Sequence, residues 1–587
     1  GLPIQTRPSL VDEFYDNTFT KETTIRVSGS TTRSSNWQRV GNLTGYQLNG
    51  DTQILAGHTI TIDPQLAVHS QYSSLWWIVD GTLNADGVEF TGYTDIRVRD
   101  GGTAHFQNIT QIDGDQIEFG SGSRGSVENS QFGSAELEVL SPNVSVSGNT
   151  FELGLPIQTR PSLVDEFYDN TFTKETTIRV SGSTTRSSNW QRVGNLTGYQ
   201  LNGDTQIAAG HTITIDPELT VHSQYSSLWW IVDGTLNADG VEFTGYTDIR
   251  VRDGGAAHFQ NATISGDSIA FAGQTVGAIH QSTVIGIPIE MTSQSDVSIV
   301  CSDLSDTRIE LVGNNAIGFD VLGNWWGTVD QQSIYQKIHD YGDDTSRPIV
   351  NVDPITGSSC SHEKGAISGR AWADWDGNGS FDISKELGVS DSVVFLDLDL
   401  DGVMSETEPS TRTGIAGRFA FADMPAGDYD VILLPANGWQ STGNRTYRVS
   451  VVANRVTDAV NFSLTDSFPG DLDASGAIDA RDVDLLCAHI ARDEPLAMPK
   501  FDLDQNLEKN KADIRFLIEQ VFGSAIGDSN MDGRFNSSDL VSVFQFGQYE
   551  DGIPNNSTWA SGDWDCNGEF DSSDLVFAFQ AKGYSNE

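Results

Sequence analysis

Asparagine recurs at an interval of about 20 residues between Asp95 and Phe172. Asn108, Asn129, Asn149 and Asn170 lie 21, 20 and 21 residues apart. Each is associated with a short alternating segment, as in Ile96-Arg-Val98, Ile117-Glu-Phe119, Leu137-Glu-Val139 and Ile157-Gln-Thr159. Three of them are followed within two or three residues by Phe132, Phe151 or Phe172. Period-two alternation inside a repeat of about 20 residues is the pattern of a β-solenoid. One coil cannot bury its own apolar face, so it needs a neighbour above and below. Asn at a recurring turn is expected to stack into a ladder, each amide bonding the next coil about 4.8 Å away. That would satisfy a polar group otherwise costly to bury.

A longer repeat contains the short one. Residues 1–108 and 154–261 are almost identical at an offset of 153. They differ at four positions: Leu55/Ala208, Gln65/Glu218, Ala67/Thr220 and Thr103/Ala256. Ser35-Asn-Trp37 and Ser188-Asn-Trp190 read as block starts. This divides the region into the end of a block at 1–34, a block at 35–187 and a final block at 188–357. In Trp76-Trp77 and Trp229-Trp230, alternation sends one ring of each pair inward. Beyond residue 261 the copies diverge but keep the rhythm, with Asn129 matching Gln281 and Asn149 matching Ser302. The last coil carries Gly323-Asn-Trp-Trp-Gly327, followed by an amphipathic segment from Gln332 to Tyr341 and by Ile349-Val-Asn-Val-Asp-Pro354. On these residues, 1–354 resembles bacterial right-handed parallel β-helix repeat proteins, which share a pectate-lyase-like solenoid. About seven coils per block would give a rod of about 35 Å. The chain opens inside a repeat and is expected to be a piece of a longer protein. Near-identity of the blocks fits either recent duplication or an array built for length and repeated faces.

Charge narrows the partners. There are 34 Lys and Arg against 81 Asp and Glu, a net charge of -47. Such a chain repels nucleic acid and anionic membrane surfaces and attracts cations. No apolar run reaches the length of about 18 residues that spans a membrane. With 59 Gly and 20% charged residues, the composition favours many short strands and turns. The four cysteines, Cys301, Cys360, Cys487 and Cys566, are far apart and form no Cys-x-x-Cys metal pair. A Cys301–Cys360 bridge remains open.

After a linker at 358–364, residues 365–465 read as a run of short strands broken by acidic turns. Asp374, Asp376, Asn378, Asp382 and Glu386 form one set of oxygen ligands. Asp397, Asp399, Asp401 and Glu408 form another. Carboxylates two apart in a Gly-containing turn can converge on one hard cation, and the alternative is a solvated acidic hairpin turn. With Met424-Pro-Ala-Gly-Asp-Tyr429 and Leu434-Pro-Ala-Asn-Gly-Trp439, this stretch resembles the B-type domains of serine-aspartate-repeat surface adhesins. The resemblance implies a Ca²⁺-stiffened β-sandwich.

Residues 466–587 carry 24 acidic and 8 basic residues. Four 12-residue loops place side-chain oxygens at positions 1, 3, 5, 9 and 12. The first has Asp471, Asp473, Ser475, Asp479 and Asp482. The second has Asp502, Asp504, Asn506, Asn510 and Asp513. The third has Asp528, Asn530, Asp532, Asn536 and Asp539. The fourth has Asp563, Asp565, Asn567, Asp571 and Asp574. Gly at position 6 permits the sharp turn and the carboxylate at 12 closes the shell around Ca²⁺. The second loop has Leu507 at position 6 and is expected to bind more weakly. An apolar helical stripe follows each loop. Asp at position 12 and loops in pairs resemble dockerin domains, here at 466–525 and 526–587. The resemblance implies a cohesin-like partner read partly through positions 10 and 11. In the last two loops these are Ser537-Ser538 and Ser572-Ser573, identical pairs that would permit two binding orientations. The alternative is a purely structural Ca²⁺ knot.

No nucleophile or P-loop motif occurs, and the ten His show no His-x-x-x-His spacing. Arg97, Arg99 and their copies Arg250 and Arg252 are the candidates for a lyase base, but two Arg on one strand face read more simply as a solvated surface. The expected fold is therefore mainly β: tandem β-helix blocks, then a sandwich, then a small α-helical Ca²⁺-loop region. The expected role is a secreted fibre, filament or adhesin without catalysis. Its expected partners are a cohesin-like protein, neighbouring copies of itself, or glycans. The competing reading is a dockerin-bearing polysaccharide lyase or hydrolase.

Overall fold

The protein is described here by a computed structural model covering residues 4–226, 228–313, 318–473, 475–491 and 499–585. It divides into two compact units, Gly1–Ile269 and Ala270–Glu587.

The first unit is a parallel β-solenoid, and its register is close to the sequence period. Ile25 pairs with Tyr46, Tyr46 with Val68, and Val68 with Phe90. On another face Thr82–Asp86 lies beside Thr103–Gln107, which lies beside Arg124–Glu128. Alternation decides what is buried: Thr59–Ile62 turns Ile60 and Ile62 inward and its threonines outward. Aromatic side chains fill the interior in columns. Trp37 stacks on Trp77 at 5.4 Å, and the copies Trp190 and Trp230 repeat the contact at 5.4 Å. Phe132, Phe151 and Phe172 stack at 4.7 and 5.6 Å. Trp77 and Trp230 are fully buried, while Trp229 is 42% exposed and lies 3.9 Å beneath the Arg250 guanidinium.

The asparagine ladder is shorter than its spacing implies. Asn149 Nδ2 donates to Asn170 Oδ1 at 2.9 Å, and both residues are buried. Ser130, not Asn129, is the next rung: its N–H donates to Asn149 Oδ1, and Ser130 Oγ in turn accepts from Ile109 N. Asn108 and Asn129 are exposed and occupy left-handed backbone, at φ of 51° and 49°. Asparagine therefore has two jobs in adjacent columns. One is a turn that tolerates positive φ, and the other is a buried amide rung.

The second unit opens on coils of the same kind. Val276–His280 pairs in parallel with Asp296–Val300, and Thr283–Thr292 with Asp303–Val312. The rung column here is Ser282, Ser302 and Asn324. A disulfide joins Cys301 to Cys360. Two four-stranded sheets follow. One holds Arg418–Met424, Gly365–Ala373, Val456–Asp466 and Trp439–Ser441. The other holds Ser410–Arg412, Val393–Asp397, Gly427–Leu434 and Thr446–Val451. Their inward residues, among them Ile367, Val394, Leu396, Phe419, Val431 and Phe462, make one core.

The last part of the unit carries helices at Ala480–Ala491, Lys511–Phe516, Ser537–Gln545 and Ser572–Gln580. All share one core with Leu486, Ile514, Leu517, Val543, Trp559 and Trp564. A second disulfide joins Cys487 in the first helix to Cys566 in the fourth acidic loop. It closes 466–525 onto 526–587, a pairing that neither position announces in the sequence.

Candidate metal centres

Each acidic loop folds around its own backbone in the same way. The position-1 carboxylate accepts the N–H groups of positions 5 and 6. Asp471 takes Ser475 and Gly476, Asp502 takes Asn506 and Leu507, Asp528 takes Asp532 and Gly533, and Asp563 takes Asn567 and Gly568. The position-12 carboxylate bridges to positions 2 and 9. Asp482 accepts from Leu472 and Asp479, Asp513 from Leu503 and Asn510, Asp539 from Ser529 and Asn536, and Asp574 from Trp564 and Asp571. These N–H groups lock the two carboxylates facing each other. The remaining oxygen lone pairs are left for a cation.

The acidic turns of the sheet region follow this template, which their spacing already contains, fully at Asp397 and in part at Asp374. Counted from Asp397, Gly402 is sixth and Glu408 twelfth. Asp397 accepts from Asp401 N and Gly402 N, and Glu408 from Leu398 N and Ser405 N. In the other turn Asp374 accepts from Gly379 N and Glu386 from Asp382 N. One added residue puts Glu386 thirteenth. Position 4 is left-handed at Gly377, Leu400, Gln505, Met531 and Cys566, as is position 6 throughout. Leu507 is held there at φ 65° without a glycine's freedom.

Five loops bring three carboxylates within 4.8 Å of one another: Asp374/Asp376/Glu386, Asp397/Asp399/Glu408, Asp471/Asp473/Asp482, Asp502/Asp504/Asp513 and Asp563/Asp565/Asp574. These groups can hold a metal ion. In the third C-terminal loop position 3 is Asn530, so its carboxylates are Asp528, Asp532 and Asp539, which form no such group. The other candidates also bind the chain's own backbone. At position 5, Asn378, Asp401, Asn506, Asp532 and Asn567 each accept the N–H two residues on. At position 9, Asn510, Asn536 and Asp571 cap the following helix, and Asp479 accepts from Arg481 N. Ser475 Oγ donates to Ala477 O. Asp382 is taken up by Ser384 and by Lys385 at 3.0 Å, which hold its carboxyl down at about 2.

Burial raises carboxylates in three of these groups. Burial pushes Asp502 and Asp563 up to about 7 and Asp513 and Asp574 up to about 6. Glu386 is also raised by burial; it is 1% exposed and its Oε1 has no hydrogen-bond partner. Facing carboxylates that resist ionisation side by side are the condition a divalent ion relieves.

Ser537, Ser538, Ser572 and Ser573 lie exposed at the starts of the last two helices. Beside them, one and two turns on, Val541 and Phe544 match Val576 and Phe579; these four are 47–56% exposed. The apolar stripe of each helix is thus split, with Val543 and Ala578 buried and the two phenylalanines 47% exposed.

No known protein family and no curated protein matches this chain. Among solved structures, it is similar to GBS52, the minor pilin of the Gram-positive pathogen Streptococcus agalactiae. The identity is 14%, the TM-score 0.14, and the match covers 21% of this chain and 52% of that one. The match thus spans about half of that pilin and is too slight to say more. No helix among the described residues is long and apolar enough to cross a membrane.

Proposed function

We propose that this chain is a secreted structural protein of the bacterial surface, non-catalytic, whose solenoid gives reach and whose C-terminal part docks in a Ca²⁺-dependent way. The observation that carries this is the repeated loop template, built five times and in part a sixth, in two different structural settings, and ending five times in a three-carboxylate group. Oxygen-only, carboxylate-rich sites suit Ca²⁺ over transition metals. Ca²⁺ at the millimolar level is an extracellular condition, and two disulfides accord with an oxidising compartment. The sheet pair then acts as a Ca²⁺-stiffened sandwich. The last two loops form a dockerin-like module whose matching Ser-Ser pairs and Val/Phe faces offer one partner two equivalent orientations. That partner is a cohesin-like protein or another copy of this chain.

The four arginines weighed as a lyase base are already engaged, which supports reach over catalysis. Arg97 pairs with Glu118 at 2.5 Å, Arg99 with Asp80 at 3.7 Å, Arg250 with Asp248 at 2.9 Å and Arg252 with Asp233 at 2.6 Å. Native mass spectrometry of the full chain with Ca²⁺ tests the reading, with the five three-carboxylate groups setting the expected minimum. Protease mapping should show EDTA exposing cleavage sites in 365–587 and leaving 4–269 intact. Retention of no Ca²⁺, or equal loosening of the solenoid, refutes it.

A further inference from the structure

Resting on that cation reading, we infer that the ion held by Asp374, Asp376 and Glu386 also locks the joint between the last coils and the first sheet. The joint is ionic and largely buried. Asp296, at the start of the coil strand Asp296–Val300, accepts from Arg370 Nη1 at 2.8 Å and Nη2 at 2.5 Å, and from Arg418 Nη2 at 2.5 Å. Arg370 is 6% exposed and stands in the sheet strand Gly365–Ala373. Water entering here would weaken these charged contacts sharply, because their strength depends on the low dielectric around them.

What keeps water out is the metal loop. Phe381 lies 3.9 Å from the Arg370 guanidinium. Phe381, Ile383 and Glu386 share with Asp296, Arg370 and Arg418 the wall of a small recess, with a cavity volume of about 20 Å³. The loop returns alongside the same strand: Ala373 N donates to Leu387 O, Val389 N to Ala371 O, and Trp372 bridges to Gly388. The fit is close, since a Cβ on Gly388 would fall 2.0 Å from Ala416 O. Within this cover, Glu386 is 1% exposed and its Oε1 has no partner. A buried carboxylate oxygen without a donor is costly until a cation takes it. Binding therefore pins 374–388 down over the ion pair, and loss of the ion releases the segment that shields it. The second centre makes a built-in control, because Asp397, Asp399 and Glu408 do not line the recess.

Hydrogen exchange of the full-length chain, with and without Ca²⁺, reads this directly. Saturating Ca²⁺ should slow exchange about tenfold or more at Gly365–Ala373 and Asp296–Val300. Asp376→Asn, which alters an exposed ligand without disturbing the core, should abolish that slowing and leave the slowing at 397–408 intact. Glu386→Gln should do the same, and Glu408→Gln should give the reverse pattern. Titration calorimetry alongside separates the two levels. If one Ca²⁺ fewer binds to Asp376→Asn yet the joint exchanges as in the parent protein, the lock is overturned while the cation site stands. If the parent chain binds no Ca²⁺, both fall.

Discussion

Asn108 and Asn149 look equivalent in the 20-residue beat, and their replacement by alanine should separate them. At Asn149 the change orphans the buried Ser130 N–H, whose acceptor is Asn149 Oδ1 at 2.9 Å. It also takes a donor from Val127 O at 2.8 Å and from Asn170 Oδ1 at 2.9 Å. One orphaned group at about 1–3 kcal/mol, with two lost bonds at about 0.5–1.5 kcal/mol each, gives roughly 2–6 kcal/mol. Asn108 is exposed and gives up one bond to Asp86 at 2.9 Å, plus the strain of alanine at positive φ, about 1 kcal/mol in all. Because a solenoid opens locally, amide exchange in the coils around 127–150 is the appropriate assay. Asn149→Ala should speed it about 30-fold or more, and Asn108→Ala less than about tenfold around its own turn. Asn108→Gly should be neutral or stabilising, since glycine accepts φ of 51° freely. Equal effects of the two alanine variants would refute the division of labour between rung and turn.

The cation-free loops should show an inverted pH dependence. Asp502 and Asp563 stand near 7, above the usual value of about 3.9 for an unfolded aspartate. Their contribution to folding is therefore present at low pH and lost as pH rises through about 7. With EDTA, the 466–587 region should melt lower at pH 8 than at pH 5.5; with saturating Ca²⁺, which binds the ionised form and releases protons, the order should reverse. The Cys487–Cys566 bridge spans 79 residues, a loop whose closure in the unfolded chain is worth about 4 kcal/mol. Replacing both cysteines by serine should lower the melting midpoint of that region in Ca²⁺ and leave the solenoid's unchanged; an unmoved midpoint would mean the single core holds the two halves without it.

What was legible in the sequence had local causes. Period-two alternation sent one ring of each Trp pair inward because strand geometry leaves it no other face, and the buried ring is Trp77 in one copy and Trp230 in the other. The Asn beat found the coil length but mixed two columns one residue apart, since an asparagine that accepts positive φ and one that forms a rung carry the same letter. Ser130 and Ser302 serve as rungs with a hydroxyl, so only the hydrogen bonds tell the columns apart.

The metal centres show the other limit. Spacing alone identified positions 1, 3 and 12, because a 12-residue loop with a left-handed turn at position 6 must bring those side chains together. At positions 5 and 9 the oxygens that the spacing marked also serve the chain's own backbone as turn and helix cap. Any loop this tight must first satisfy its inward N–H groups, and the carboxylates at positions 1 and 12 do so while keeping lone pairs to spare. The Asp296–Arg370–Arg418 joint and the Cys487–Cys566 pairing have no such local cause. Residues 74 to 122 apart in sequence meet there only because whole elements dock, and a pattern read along the chain cannot register that. The cation loop at 374–386 belongs to both classes: its ligands are written in consecutive residues, while Phe381 and Ile383 take part in the joint only through the docking of the sheet on the coils.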